Sequence, residues 1–196
     1  QGAILSNMFF EPSTRTRVSF GSAFNLLGGE VRETSEAKTS SLAKGESLYD
    51  TARVLSGYSD VIVMRHPEPG SVAKFAEASR VPVINGGDGT NEHPSQALLD
   101  LYTMRTEIAA HGQSLDGLSI ALIGDLRFGR AVHSLCKLLC LYDNIRLHLI
   151  SPTELALPQE IIGLLKTAGH EVLEYTDMAD GIRGVDILYV TRTQEE

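Results

Sequence analysis

The runs Val61-Ile62-Val63-Met64 and Ile120-Ala121-Leu122-Ile123 contain only apolar residues. Strands that are apolar on both faces are typical of parallel sheets that helices cover on each side. Each run is followed by a polar turn and then by an amphipathic segment, at Ser71–Ser79 and at Arg130–Leu141. This order of strand, turn and helix predicts parallel strands joined by right-handed crossovers.

The same alternation extends along the whole chain. The predicted strands are Ala3–Phe10, Val31–Ser35, Asp60–Met64, Pro82–Asn85, Ser119–Gly124, Ile145–Ile150, Glu171–Tyr175 and Val185–Val190. The predicted helices are Thr14–Leu27, Glu46–Gly57, Ser71–Ser79, Pro94–His111, Arg130–Leu141 and Pro158–Ala168, with a weaker one at Asp177–Arg183. The predicted fold class is therefore α/β, with two doubly wound parallel-sheet domains joined by a helix.

The best domain boundary lies at the polar, glycine-containing segment Gly112–Gly117, after which a new strand–helix series begins. We predict a first domain over residues 1–94, a linking helix over 95–111 and a second, partial domain over 112–196. The chain opens on a strand without an initiator methionine and stops just beyond another strand. We therefore expect further residues both upstream and downstream.

The composition limits the possible partners. The 196 residues carry a net charge of −8, which is opposite in sign to that of general nucleic-acid or acidic-membrane binders. No apolar run reaches the ~20 residues that a membrane-spanning helix needs.

Cys136 and Cys140 are the only cysteines. Two thiolates without further ligands make a poor zinc site, so we expect buried free thiols and a reducing cytoplasm.

Arginines of this acidic chain are concentrated where predicted strands end. Arg15 and Arg17 follow the first strand, Arg65 follows the third, and Arg127 and Arg130 follow the fifth. In open α/β sheets, ligands bind at the carboxyl ends of the strands. Because a few focused cations can dominate one cleft, this pattern favours an anionic small molecule as ligand.

The segment Ser13-Thr14-Arg15-Thr16-Arg17 has the features of an anion site. Ser13 is a suitable N-cap, and the N–H groups of the helix start attract negative charge. The three hydroxyl groups add donors, and Arg15 adds a planar fork that fits phosphate. Arg17 lies one turn deeper and is either part of this site or a structural salt-bridge residue.

Two further polar segments lie at the starts of predicted helices. His93 lies just before Pro94, at the positive end of a helix, which favours a neutral imidazole that can donate to a carbonyl oxygen. Gln96 is one turn away and can bond an amide group. The loop Thr39–Glu46 contains Lys44, which either reaches an anion or is solvated. The other histidines are assigned to surface or packing roles: His66, His111, His133, His148 and His170.

The turn Gly124-Asp125-Leu126-Arg127-Phe128-Gly129-Arg130 is similar to a dinucleotide-binding turn but has Leu126 where that motif needs glycine. We interpret it as a tight strand–helix turn that directs Arg130 into the cleft, where it could pair with a carboxylate.

Together these segments resemble the aspartate carbamoyltransferase family. The matching blocks, in family order, are Ser13–Arg17, Ser40/Ser41 with Lys44-Gly45-Glu46, Val63–Pro67, His93–Asp100 and Gly124–Ser134. The first block is shared with ornithine carbamoyltransferases, whereas the last is specific to the aspartate enzymes.

The resemblance implies transfer of the carbamoyl group from carbamoyl phosphate to L-aspartate, in pyrimidine biosynthesis. It implies that Ser13, Thr14, Arg15 and Thr16 hold the phosphate. Thr16, Arg65 and His93 would polarise the carbamoyl carbonyl, Gln96 would bond its amide, and Arg130 would bind an aspartate carboxylate. In the family, the Ser/Lys loop enters the site of a neighbouring subunit, so Ser40 or Ser41 and Lys44 would complete a shared site in a homotrimer.

No metal or organic cofactor is expected, and regulatory chains are possible partners. Further aspartate-binding residues and a returning helix in the family lie beyond the end of this sequence.

Ornithine carbamoylation is the alternative activity, although the Arg130 turn argues against it. A second alternative is a chain that binds carbamoyl phosphate without turnover. A dinucleotide-binding dehydrogenase is opposed by the failed glycine pattern.

Overall fold

The computed structural model describes residues 2–35 and 45–191 of the chain. The chain divides into two compact units, Gln1–His93 and Pro94–Glu196. Each unit contains one four-stranded sheet in which all strands are parallel. The predicted α/β class with two parallel sheets is confirmed. In the described part of the chain, no helix combines the length and the apolar character that crossing a bilayer requires.

The first unit alternates strands and helices around the sheet order β2-β1-β3-β4. Its elements are β1 (Ile4–Phe9), α1 (Thr14–Leu26), β2 (Glu30–Ser35), α2 (Leu48–Leu55), β3 (Val61–His66), α3 (Ser71–Ala78) and β4 (Val83–Asp88). Ile62 and Met64 of β3 pack with Phe75 of α3 in one cluster, whereas Val63 packs with Leu5 in another. Adjacent residues of a strand point to opposite faces, so both faces of this sheet are covered.

The second unit repeats the arrangement with the order β7-β6-β5-β8. Its elements are α4 (Pro94–Ala110), β5 (Ser119–Ile123), α5 (Arg130–Leu139), β6 (Arg146–Ile150), α6 (Gln159–Thr167), β7 (Glu171–Tyr175), α7 (Met178–Gly181) and β8 (Ile187–Val190). The largest cluster of buried apolar residues joins α4 to β5, α5 and β6, with Leu101, Leu122, Leu135 and Leu147 among its members.

Several boundaries differ from the sequence prediction. β3 continues through Arg65 and His66, and β4 continues through Asp88, because backbone pairing between His66 and Asp88 extends the ladder past a register shift. Strand pairing uses main-chain groups, so polar side chains do not end it. α2 begins at Leu48 because the Ser47 hydroxyl accepts a hydrogen bond from the Asp50 N–H at 3.1 Å. A short 3-10 helix at Thr153–Leu155 was not predicted.

Both cysteines are free thiols on or just after α5, as predicted, but Cys140 is only partly buried, whereas both were expected to be buried. Cys136 is fully buried, and burial raises its pKa from the ordinary value of 9.0 to about 12, with a smaller contribution from Cys140. Burial also raises the pKa of Cys140, which is more accessible.

We therefore expect iodoacetamide at pH 8.5 to label Cys140 before Cys136, because only the thiolate reacts. Mass spectrometry of the native chain checks this order, and preferential labelling of Cys136 would contradict it. Cys136 stays protonated in the folded chain while the unfolded chain ionises. Its contribution to stability is thus complete below pH 9 and is lost as the pH rises towards 12.

Candidate active site

The carboxyl edge of the first sheet contains a topological switch point between β1 and β3. From β1 the chain crosses to β2 on one side, and it then returns to β3 on the other side. Phe9 is paired with Arg65 at this edge, and the Phe10 N–H donates to the Arg65 carbonyl at 2.9 Å. Loops diverge at such a point and leave a crevice for ligands. The segment that follows β1 and the end of β3 therefore meet where a ligand is expected.

Arg65 is held between an acid and an imidazole at this edge. Its Nε donates to Glu11 Oε1 at 2.5 Å, and its Nη1 lies 3.4 Å from His93 Nε2. The Arg65 and Glu11 side chains are only 13% and 20% exposed, and His93 is 7% exposed. The structure thus places the predicted site residues Arg65 and His93 within hydrogen-bonding distance of each other.

The start of α1 lies next to this cluster. Ser13 occupies the N-cap position, as predicted, with extended backbone, but its hydroxyl makes no capping hydrogen bond to the described part of the helix. Ser13, Thr14 and Arg17 line a cavity of about 320 Å³ together with Glu11. Arg15 is exposed and Thr16 is half-buried in the first turn. The first-turn N–H groups and these side chains are suited to an anionic ligand.

Arg17 forms an ion pair, as one of its two sequence interpretations predicted. Its Nε lies 3.7 Å from Glu33 Oε2. The buried Asn7 amide donates to both the Arg17 carbonyl at 2.9 Å and Glu33 Oε1 at 3.0 Å. Asn7 and Glu33 therefore anchor the first turns of α1 to the sheet. Sequence reasoning missed both, because partners from β1 and β2 are distant along the chain.

Asp88 is another residue that sequence reasoning missed. It is 2% exposed, and its carboxylate accepts from the Gly70 N–H at 3.0 Å, the Val72 N–H at 3.4 Å and Asn91 Nδ2 at 2.9 Å. It therefore ties the start of α3 to the loop that leads to His93. The only signal in the sequence was an aspartate between glycines in Gly86-Gly87-Asp88-Gly89, directly after the predicted strand Pro82–Asn85.

Gly87 makes room for Arg65. Its φ of +133° disfavours any other residue, and an added Cβ would lie 3.3 Å from Cγ, Cδ and Nε of Arg65. A side chain at this position would both strain the backbone and press on the guanidinium.

Three predicted residues, Ser40, Ser41 and Lys44, lie outside the described residues. Gln96 and Arg130 belong to the second unit. Gln96 is in the first turn of α4 and donates from Nε2 to Asp100 Oδ1 at 2.8 Å. Arg130 is the first residue of α5 and is half-buried.

The turn that precedes Arg130 lies at the switch point of the second sheet, between β5 and β8. Gly124 has a φ of +116°, and an added Cβ would lie 2.5 Å from the Thr191 carbonyl oxygen. Leu126 is fully buried, and its N–H donates to the Leu155 carbonyl. The fully buried Asp125 accepts from the Arg127 and Phe128 N–H groups at 3.1 and 2.9 Å. The Asp125 carboxylate thus already accepts from two main-chain N–H groups of this turn. These groups are therefore not available to bind a pyrophosphate.

Four of the five remaining histidines have packing roles, as predicted. His133, His148 and His170 are buried and hydrogen-bonded to main-chain oxygens of Leu126, Gly181 and Leu139. His66 stacks edge-on against Phe10 and accepts from the Glu68 N–H. The fifth, His111, is exposed. Among the residues with described positions, no group of three or more histidine, cysteine or acidic side chains could hold a metal ion.

A sequence model of one family matches residues 1–106, and it is described as aspartate/ornithine carbamoyltransferase, carbamoyl-P binding domain. The aspartate carbamoyltransferase catalytic subunit of Saccharophagus degradans is 69% identical over all 196 residues, which cover 58% of that protein. The corresponding subunit of Methanocaldococcus jannaschii is 50% identical, and the chain covers 63% of it. The chain thus spans about three fifths of the length of these relatives.

Solved structures of aspartate transcarbamoylases contain the same fold as this chain. The chain superposes on the catalytic subunit of M. jannaschii aspartate transcarbamoylase with a TM-score of 0.88 at 50% identity, covering 99% of this chain and 62% of that one. The Trypanosoma cruzi aspartate transcarbamoylase in complex with carbamoyl aspartate and phosphate gives a TM-score of 0.90 at 42% identity, covering 99% and 64%.

Proposed function

Since the chain belongs to the aspartate/ornithine carbamoyltransferase family, we propose that it transfers the carbamoyl group of carbamoyl phosphate to the amino group of L-aspartate. The products are N-carbamoyl-L-aspartate and phosphate. One observation carries the proposal: Arg65 and His93 lie 3.4 Å apart at the switch point where α1 begins. Relatives named as aspartate carbamoyltransferases support the choice of aspartate over ornithine.

In this proposal the phosphate binds at the start of α1. Ser13, Thr14, Arg15 and Thr16 supply hydroxyl, main-chain and guanidinium donors, and the helix dipole adds attraction for the dianion. The cavity of about 320 Å³ beside Ser13 and Thr14 is large enough for a phosphoryl group. Arg17 lines the same cavity, but its charge is paired with Glu33.

The carbamoyl carbonyl is polarised by Thr16, Arg65 and His93. The neutral amine of aspartate attacks the carbamoyl carbon, and negative charge grows on the carbonyl oxygen. These donors stabilise that charge as an oxyanion hole does, at about 3 kcal/mol for each donor. As the new C–N bond forms and the C–O bond to phosphate breaks, the departing phosphate takes the amine proton. Positioning of both substrates lowers the remaining barrier.

The other predicted residues complete the proposal. Gln96 accepts a hydrogen bond from the carbamoyl NH₂ group, and Arg130 binds a carboxylate of aspartate. Ser40 or Ser41 and Lys44 reach the site of a neighbouring subunit in a homotrimer. Residues 1–94 form the carbamoyl-phosphate domain, 95–111 the linking helix and 112–196 part of the aspartate domain. Regulatory chains are possible partners, and the two free thiols suit the cytoplasm.

Calorimetric titration of the chain with carbamoyl phosphate, combined with rate assays on L-aspartate and L-ornithine, tests the proposal. We expect saturable binding of carbamoyl phosphate and carbamoylation of aspartate only. Carbamoylation of ornithine would reassign the substrate. Binding without turnover would limit the chain to carbamoyl-phosphate binding, and an absence of binding would refute the proposed site.

A further inference from the structure

Asp100 uses both of its carboxylate oxygens to hold other side chains of the second unit. Its Oδ1 accepts from Gln96 Nε2 at 2.8 Å, one turn earlier on α4. Its Oδ2 accepts from the Tyr189 hydroxyl at 2.9 Å, which comes from β8, 89 positions further along the chain. Both hydrogen bonds are partly buried. Asp100 thus links a helix and a strand through Gln96 and Tyr189.

This arrangement selects one orientation of the Gln96 amide. An ionised carboxylate can only accept hydrogen bonds, so the NH₂ end of Gln96 has to face Asp100. The carbonyl oxygen is then the side-chain group of Gln96 that can meet a ligand. Were the amide reversed, two acceptor oxygens would face each other, and a partly buried donor would lose its partner.

Tyr189 keeps Asp100 in place as an acceptor. Burial and the neighbouring charge of Asp100 both raise the pKa of Tyr189, so its hydroxyl remains protonated and donates. With one oxygen occupied by this hydroxyl, the other oxygen of Asp100 is directed to Gln96.

We infer that Asp100 and Tyr189 are positioning residues that make Gln96 an obligate acceptor and thereby select a carbamoyl group over an acetyl group. The inference rests on the proposed function. Carbamoyl phosphate and acetyl phosphate have the same shape, but only the carbamoyl NH₂ can donate to Gln96. A site built to bond such a group discriminates against the analogue that lacks it, because its own polar atom is left unpaired.

Titration of the chain with carbamoyl phosphate and with acetyl phosphate measures this selection as a ratio of dissociation constants. We expect a ratio of about tenfold or more in the original chain. In Asp100→Asn, the new amide can donate to the Gln96 carbonyl and allow reversal, so the ratio should fall towards one through weaker carbamoyl phosphate binding. Tyr189→Phe should give a smaller fall. Gln96→Leu should abolish the selection, and adding Asp100→Asn to it should change nothing further.

Two controls match these variants: Glu107→Gln removes an exposed carboxylate from the same helix, and Tyr102→Phe removes an exposed hydroxyl. Both should keep the original ratio. Nitrogen-15 NMR of the chain without ligand gives a second measurement, because Asp100→Asn should shift the Gln96 side-chain amide resonances.

The outcomes distinguish a failure of this inference from a failure of the proposed function. If Asp100→Asn keeps the original ratio, or weakens both ligands equally, the inference fails while the proposed function stands. If the original chain binds carbamoyl phosphate no better than acetyl phosphate, the inference fails as well. If it binds neither, both fail.

Discussion

Replacing Arg65 by alanine is expected to lower the turnover of carbamoyl phosphate with aspartate by about a thousandfold. The side chain is a largely buried cation at the switch point, and in the proposed mechanism it donates to the oxygen on which charge develops. Its loss also leaves the Glu11 carboxylate without this guanidinium. The remaining negative charge then repels the phosphate dianion. Steady-state rates and calorimetric titration with carbamoyl phosphate measure both effects.

Combined variants distinguish these causes. Adding Glu11→Gln to Arg65→Ala should recover part of the lost affinity, because it removes the repelling charge, but little of the turnover. Arg65→Lys should retain attraction but lose the planar fork and give an intermediate rate. Arg32→Ala is the matched control, since Arg32 is an exposed arginine paired with Glu30 in β2. Turnover of Arg65→Ala within tenfold of the original chain would refute the assigned role.

Replacing Asp88 by alanine is expected to destabilise the first unit by about 3 kcal/mol. The change removes the acceptor of two main-chain N–H groups of the 70–72 segment and of the Asn91 amide. These donors are partly or fully buried, so water cannot fully replace the carboxylate. Urea denaturation should show a lower midpoint with an unchanged slope.

The same substitution should lower turnover by about a hundredfold, because the loop that carries His93 loses its anchor. Asp88→Asn should be less severe on both measures, since it retains one acceptor oxygen. Glu77→Ala is the control, as Glu77 is an exposed carboxylate on the same α3 helix. A midpoint equal to that of the control would show that Asp88 does not hold this loop.

The positions of helices and strands follow from local pattern. All eight predicted strands and seven helices correspond to observed elements, because apolar runs and helix-start residues act over a few positions. The boundaries of β3 and β4 were wrong, since main-chain pairing between His66 and Asp88 is a contact between strands and leaves no local signal. The start of α1 was predicted for the same local reason, as Ser13 and the residues after it are adjacent in the chain.

Residue type and short-range order thus suffice to predict the α/β class and the N-cap at Ser13. They also select Ser13–Thr16, Arg65 and His93 as candidate site residues. The side chains that hold such residues in position, in contrast, are decided only by the tertiary structure. The sheet order brings Glu11 to Arg65, Glu33 to Arg17 and Tyr189 to Asp100. Each of these contacts joins residues from different elements. Their formation depends on strand pairing and helix packing, which a local sequence pattern does not contain.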